Sequence, residues 1–274
     1  TMTTPSPYYP ALPPADALLT LSNVSASANT LTAAGAGSVP LSMPAVVGGA
    51  SHDVLTGSGQ DDMIYGQAGN DQISAGAGND IISGGRGNDA IDGGAGLDTA
   101  AFSGRRASFS VTRQDDKTVV RDNAGLEGTD ILTGVERLLF GDTRVALDLH
   151  GNAGLAIKVL GAVLGREAVN DKAMIGVSLG LYDAGLDSAA VASVLIGMVL
   201  GPTVSDEAFV ARVYQNITGS APTGDELAMY VGMLRSGVHT QASLAVLAAE
   251  TGQNSVNIDL VGLAQSGIEY TVTP

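Results

Sequence analysis

Between Gly48 and Ala101, apolar and polar positions recur every nine residues. In that frame the chain reads GGASHDVLT, GSGQDDMIY, GQAGNDQIS, AGAGNDIIS, GGRGNDAID and GGAGLDTAA. The eighth place is always apolar (Leu55, Ile64, Ile73, Ile82, Ile91, Ala100), and the sixth is always aspartate (Asp53, Asp62, Asp71, Asp80, Asp89, Asp98). A fixed period predicts one structural unit stacked on itself. Glycines at the first, second and fourth places open the left-handed backbone region and let carbonyls crowd together. The tail D-x-I-x predicts a very short strand with one side chain turned inward. Nine residues then make one turn and one strand, and eighteen complete a coil. Asp53, Asp71 and Asp89 line up on one side, and Asp62, Asp80 and Asp98 on the other. The aliphatic residues meet between two thin parallel sheets.

After Ala101 the pattern changes twice. Residues Ser108–Thr112 alternate, Thr118–Val120 follow a charged turn, and Val135–Phe140 and Arg144–Leu149 flank a hairpin turn at Gly141-Asp142. These strands are expected to cover the open end of the sheets. Glu136 and Arg137 are expected there as a solvated or locally paired set. From Gly151 the period is helical. Helices are predicted around Leu155–Leu164, Met174–Tyr182, Val191–Val199 (stopped by Gly201-Pro202), Phe209–Ile217 and Leu227–Leu234. The fifth opens on a capping box, Thr223 to Glu226. A sixth starts near Thr240, and a seventh spans Val256–Leu263. Ahead of the repeats, residues 1–47 form a Pro/Ser/Ala-rich arm, extended over Pro5–Pro14 and with strand-like alternation over Leu18–Leu31. The expected fold is thus α+β and multidomain: the arm, a parallel β-roll over 48–101, capping β-strands over 102–150, and an all-α helical bundle over 151–274.

The aligned aspartates carry the chemistry. Successive coils lie about 4.8 Å apart, where two carboxylates repel by about 1 kcal/mol in water and about 3 at an effective dielectric of 20. A core one isoleucine wide does not close such a column unaided. Hard cations do, and a donor set made of carboxylates and carbonyls, without nitrogen or sulfur, selects calcium.

The rows match G-G-x-G-x-D-x-U-x, and the segment resembles the parallel β-roll of the RTX family, whose nonapeptide repeat binds calcium. The run GTDILTGVERLLFGDTRVALDL is similar to the segment that follows the repeats in many RTX proteins. In that family an ion sits between loops two rows apart and takes both sixth-place aspartates. It also takes carbonyls from places one and three of one loop and two and four of the other. Carried over, the resemblance implies metal ligands at Asp53, Asp62, Asp71, Asp80, Asp89 and Asp98. It implies carbonyls from Gly57, Gly59, Gly66, Ala68, Gly69, Gly76, Gly78, Gly84, Gly85, Arg86, Gly87, Gly94 and Gly96, serving up to about four ions. Row 1 departs from the pattern with Ser51 and His52, row 4 opens on Ala75, and row 6 has Leu97 in the fifth place. The stretch FVARVYQNITGSAPTGDELAMYVGMLRSG, within residues 205–252, resembles a domain of unknown function found beside RTX repeats in bacterial exported and S-layer proteins. That resemblance implies a surface or matrix setting.

Composition sharpens the reading. The chain has 274 residues, 45% of them apolar, enough for two or three domains with real cores. A net charge of −15 argues against nucleic acid and anionic membranes as partners. There is no cysteine, so disulfides and thiolate metal sites are excluded. The first basic residue is Arg86, so no positively charged n-region of a secretory signal precedes an apolar run. The protein is thus expected to be either cytoplasmic or exported by a route that reads no N-terminal signal; RTX proteins resemble the second case, leaving by type I secretion under an uncleaved C-terminal segment.

Three further motifs bear on catalysis and membrane insertion. Gly176-Val-Ser178-Leu-Gly180 fits the G-x-S-x-G of serine hydrolases but lies within a helical period rather than after a strand. His52, His150 and His239 are scattered, with no H-E-x-x-H. Ser188 to Ser205 is uncharged but broken by Gly197, Gly201 and Pro202, so a buried core helix is expected rather than a transmembrane segment. The sequence therefore points to an exported, non-enzymatic structural protein of the bacterial cell surface or extracellular matrix that folds and self-assembles on Ca2+ (calcium). The alternatives are an adhesin that grips a cell-surface glycan or protein, and a small hydrolase using Ser178.

Overall fold

The computed structural model describes residues 45–114 and 116–272, together with the backbone of residues 30–31 and 39–40. The arm expected over 1–47 lies mostly outside the described residues. Two short strands there, β1 (Thr30–Leu31) and β2 (Val39–Pro40), pair antiparallel. The chain divides into two compact units, Thr1–Leu147 and Asp148–Pro274.

The first unit is a parallel solenoid. Its coils alternate between two sheets because each nine-residue row reverses the chain once. The odd rows supply β4 (Val54–Thr56), β6 (Gln72–Ala77) and β8 (Ala90–Ala95). The even rows supply β5 (Met63–Tyr65), β7 (Ile81–Ser83) and β9 (Thr99–Ala101). Strands pair in parallel with an offset of eighteen residues, as Ile73 with Ile91 and Ile64 with Ile82. A coil ahead of row 1 contributes β3 (Ala45–Val47), whose Val46 stands beside Ile64.

The segment expected only as a cap is in part more solenoid. The strand β12 (Thr129–Thr133) adds in parallel to β8, with Leu132 beside Ile91. Likewise β13 (Arg137–Leu139) adds in parallel to β9, with Leu138 beside Ala100. Closure comes from β10 (Phe109–Gln114) and β11 (Lys117–Asp122) antiparallel on the first sheet, and β14 (Arg144–Ala146) antiparallel on the second. Phe102, Phe109 and Phe140 close that end of the core, their ring centroids 5.1–5.4 Å apart. Of the two expectations for Arg137, local pairing holds and solvation does not: it is 1% exposed inside the extended sheet, and its Nη1 donates to Glu136 O at 3.0 Å.

The second unit is all-α apart from β15 (Ile268–Tyr270) near its end. Its axis is α1 (Asn152–Leu164), apolar nearly all round and packed chiefly against four later helices. These are α2 (Lys172–Asp183), α3 (Ser188–Val199), α4 (Asp206–Thr218) and α6 (Gln241–Ala249), with α5 (Gly224–Arg235) set against α4. Such a central helix leaves its C-terminal carbonyls away from water, so side chains answer them. Asn216 Nδ2 donates to Ala162 O and Val163 O, and Asn254 Nδ2 to Lys158 O. The capping box is present, Thr223 Oγ1 accepting from the Glu226 amide and Glu226 Oε2 from the Thr223 amide.

Two sequence expectations change here. The single helix expected over Val256–Leu263 is two, α7 (Gly252–Asn257) and α8 (Leu260–Ser266), because Asp259 adopts φ +52° and caps the second. The uncharged run from Ser188 is not wholly buried: Val191, Ala192, Leu195 and Ile196 face the core, while Val194, Met198 and Val199 are exposed. Among the described residues, no helix is long and apolar enough to cross a membrane. The motif around Ser178 lies inside α2, where a Cβ on Gly176 would fall 1.9 Å from the Thr271 carbonyl. That glycine serves close packing of the C-terminal segment.

The solenoid's glycines divide into two kinds. At Gly87 (φ +139°) a Cβ would lie 1.6 Å from Gly69 O, whereas at Gly59 it would meet nothing within 4 Å. Gly87→Ala is expected to cost at least about 1–2 kcal/mol from backbone conformation alone, read as a lower urea midpoint in saturating calcium. Gly59→Ala is expected to leave that midpoint unchanged or slightly raised.

Candidate metal centre

Each row delivers its aspartate at the junction of turn and strand, so stacking superposes the carboxylates. In both columns one carboxylate oxygen is bound to the neighbouring coil. The Asp53 amide donates to Asp71 Oδ1 at 2.9 Å, Asp62 to Asp80 Oδ1 at 2.8 Å, Asp71 to Asp89 Oδ1 at 2.8 Å and Asp80 to Asp98 Oδ1 at 2.9 Å. The ladder then leaves the repeats. Asp89 donates to Asp130 Oδ1 and Asp98 to Glu136 Oε2, both at 2.9 Å.

The second oxygen has no protein donor. Asp71, Asp80, Asp89 and Asp98 are at most 2% exposed, and their Oδ2 atoms are buried without a hydrogen-bond partner. For Asp62 the orphan is Oδ1, since Oδ2 accepts from the Ser58 amide. At the N-terminal end Asp53 Oδ2 accepts from the Gly49 amide. An orphaned buried carboxylate oxygen costs several kilocalories per mole unless something replaces its water.

The turns supply further oxygens. A Cβ on Gly66 would sit 2.4 Å from both Asp71 Oδ2 and Gly84 O; on Gly57 it would sit 2.1 Å from Ala75 O and 2.9 Å from Asp62 Oδ2. Where the first place is glycine it is thus a small oxygen-lined gap, open only because no Cβ fills it; row 4, which opens on Ala75, is the exception. Second and fourth places stack on their counterparts one coil earlier: Gly76 over Ser58 O, Gly94 over Gly76 O, Gly85 over Gln67 O, Gly69 over Ser51 O, and Gly78 and Gly96 likewise. Third places, Gly59, Ala68 and Arg86, lie outward; Ala68 bridges Arg86 in parallel. The fifth place has its own ladder. Asn70 Oδ1 accepts from the Asn88 amide, Asn79 Oδ1 from Leu97, Asp61 Oδ1 from Asn79 and Asn88 Oδ1 from Thr129. His52 departs from asparagine and places Nδ1 3.1 Å from Asn70 O.

No cluster of three His, Asp or Glu side chains gathers around one point among the described residues. The donor set is instead pairs of carboxylates plus carbonyls, all oxygen, which fits a hard cation of variable coordination such as calcium. Sequence reasoning missed Asp130 and Glu136 as members of the columns. The signal was present, since Asp130-Ile-Leu-Thr and Glu136-Arg-Leu-Leu repeat the acid-x-aliphatic-x tail. The insertion over 102–128 breaks the nine-residue phase that would have exposed it.

Burial raises the carboxyls of Asp71, Asp80 and Asp89 above the usual range, with the neighbouring column acid adding to it. At the closed end Asp98 is pushed up to about 7 and Asp130 to about 8, again chiefly by desolvation. In the metal-free fold these groups hold protons that the unfolded chain has lost above pH 3.8. The contribution of these groups to metal-free stability is therefore greatest in acid and is lost as pH rises from about 4 to about 8. Urea melts in chelator are expected to show a lower midpoint at pH 8 than at pH 5; a rising midpoint would contradict the assignment. Calcium competes with those protons, so its affinity is expected to rise over the same window. Asp80 stands in two carboxylate pairs, and Asp80→Asn is expected to weaken calcium binding by on the order of tenfold or more, read by equilibrium dialysis.

A family model described as the RTX calcium-binding nonapeptide repeat (4 copies) matches residues 46–73 and 65–100. No curated protein matches the chain. Among solved structures, the extracellular lipase LipA from Serratia marcescens is similar at 22% identity and a TM-score of 0.32, over 35% of this chain and 17% of that one. Residues 46–100 of this chain are RTX calcium-binding nonapeptide repeats.

Proposed function

We propose that this is an exported, non-enzymatic structural protein of a bacterial cell surface or extracellular matrix, which folds and self-assembles on binding calcium. The observation that carries the reading is the pair of buried aspartate columns with orphaned oxygens facing oxygen-lined turns. The ligands are Asp53, Asp62, Asp71, Asp80, Asp89 and Asp98 with the turn carbonyls of adjacent coils. Such sites bind in the micromolar range or weaker, so they are empty in a cytosol and filled outside, where calcium is roughly millimolar. Folding after export follows from that difference.

Self-association is supported by the free end of the roll. β3 and β4 end their sheets, and no strand pairs beyond them among the described residues. An open edge of this kind accepts a strand from another chain. The non-enzymatic part is supported by Ser178, which is fully buried inside a continuous helix. A serine nucleophile needs an exposed turn after a strand.

Light scattering with far-UV circular dichroism over a calcium titration tests the reading. Particle mass and β-structure are expected to rise together near millimolar calcium. A fold that forms while the mass stays monomeric would remove self-assembly, and a fold indifferent to calcium would remove the whole proposal.

A further inference from the structure

We infer that the metal-binding column does not stop with the repeats: Asp130 and Glu136 are cation ligands, completing two calcium positions with Asp89 and Asp98 at the closed end of the roll. The inference rests on the calcium reading above and extends it to residues outside the nonapeptide pattern.

Three independent features place these residues in the register of the repeats. Leu132 and Leu138 occupy the inward apolar place opposite Ile91 and Ala100, which sets Asp130 opposite Asp89 and Glu136 opposite Asp98. Their carboxylates accept the Asp89 and Asp98 amides just as each repeat aspartate accepts the one before it. The turns follow suit. Gly128, at φ +76°, stacks on Gly87 O where a Cβ would lie 2.1 Å away, the fourth-place contact. The Thr129 amide continues the fifth-place ladder on Asn88 Oδ1 at 2.7 Å.

A ligand is called for at both positions. Asp89 Oδ2 and Asp98 Oδ2 are buried and unpartnered, on residues 2% and 0% exposed. Around Gly93, a Cβ would lie 2.8 Å from Asp98 Oδ2 and 2.1 Å from Gly134 O, the same gap that Gly57 and Gly66 leave in the repeats. Gly134 therefore supplies the first-place carbonyl of a shortened row, Gly134-Val135-Glu136. Leu97 fits this end: with the row above it shortened, no fifth-place amide follows for a side-chain oxygen to accept. The charged groups weighing on Asp130 are Asp89 and Glu127, and those on Asp98 are Asp80, Glu136 and Asp92, all acidic. Acidic neighbours beside a buried carboxylate with an open oxygen favour a divalent cation over a shared proton at neutral pH.

The test counts calcium on the full chain at pH 8 by equilibrium dialysis, comparing wild type with Asp130→Asn, Glu136→Gln and the exposed-turn control Asp116→Asn. Asparagine and glutamine keep the oxygen that accepts the ladder amide, so a purely structural role leaves the count unchanged. Loss of one ion in each single variant, two in the double variant and none in the control is the expected result. An unchanged count in both, with the wild type binding calcium, overturns this inference and leaves the repeat sites standing. A wild type that binds no calcium overturns the functional reading as well. Should the variants fail to fold, lanthanide-soaked crystals of the unmodified chain decide. Anomalous peaks beside Asp130 and Glu136 support the assignment, and peaks confined to the repeat rows overturn it.

Discussion

The structure depends on carboxylates stacked at the spacing of β-strands. Strand pairing fixes the coil repeat at about 4.8 Å, and a one-turn, one-strand row puts an acid at each step. Nothing in the apolar core opposes that repulsion at length. Each coil contributes one inward aliphatic side chain per sheet, from Val46 and Leu55 to Leu132 and Leu138. A stacked column of this kind is therefore a fold waiting for a counter-charge.

Asp71, Asp80, Asp89 and Asp98 each divide their two oxygens between holding the stack and meeting the ion. One accepts the amide of the preceding coil, which sets the register of the solenoid. The other is buried and open, and in every row but the fourth the turn beside it begins with a glycine that leaves room for an oxygen-bound ion. Register and metal affinity are thus coupled through the same side chain. This is why protonation and calcium act as alternatives: either one relieves the charge, but only the ion also satisfies the carbonyls.

The coil was legible in the sequence because the phase is strict. Aspartate at every sixth place and an aliphatic at every eighth fix both sheets and both columns. The continuation through Asp130 and Glu136 was not legible, since residues 102–128 interrupt the phase and the last row drops most of its turn. Arg137 stayed open between solvated and locally paired for a related reason: a charged residue next to Glu136 is placed only once its strand is known to lie inside the sheet. In the helical unit the capping box at Thr223 and the central helix followed from local pattern. The break at Asp259 did not, because an aspartate in left-handed backbone has no clear signature without a glycine beside it.

The central claim is that the ion, not the apolar core, holds the coils in register at neutral pH. Hydrogen exchange at the amides of Asp62, Asp71, Asp80 and Asp89 tests it most directly, since those amides form the ladder between coils. At pH 8 they are expected to be protected in millimolar calcium and to exchange freely in chelator, while the helices from Asn152 onward keep their protection. Equal protection of the ladder amides with and without calcium would contradict the account.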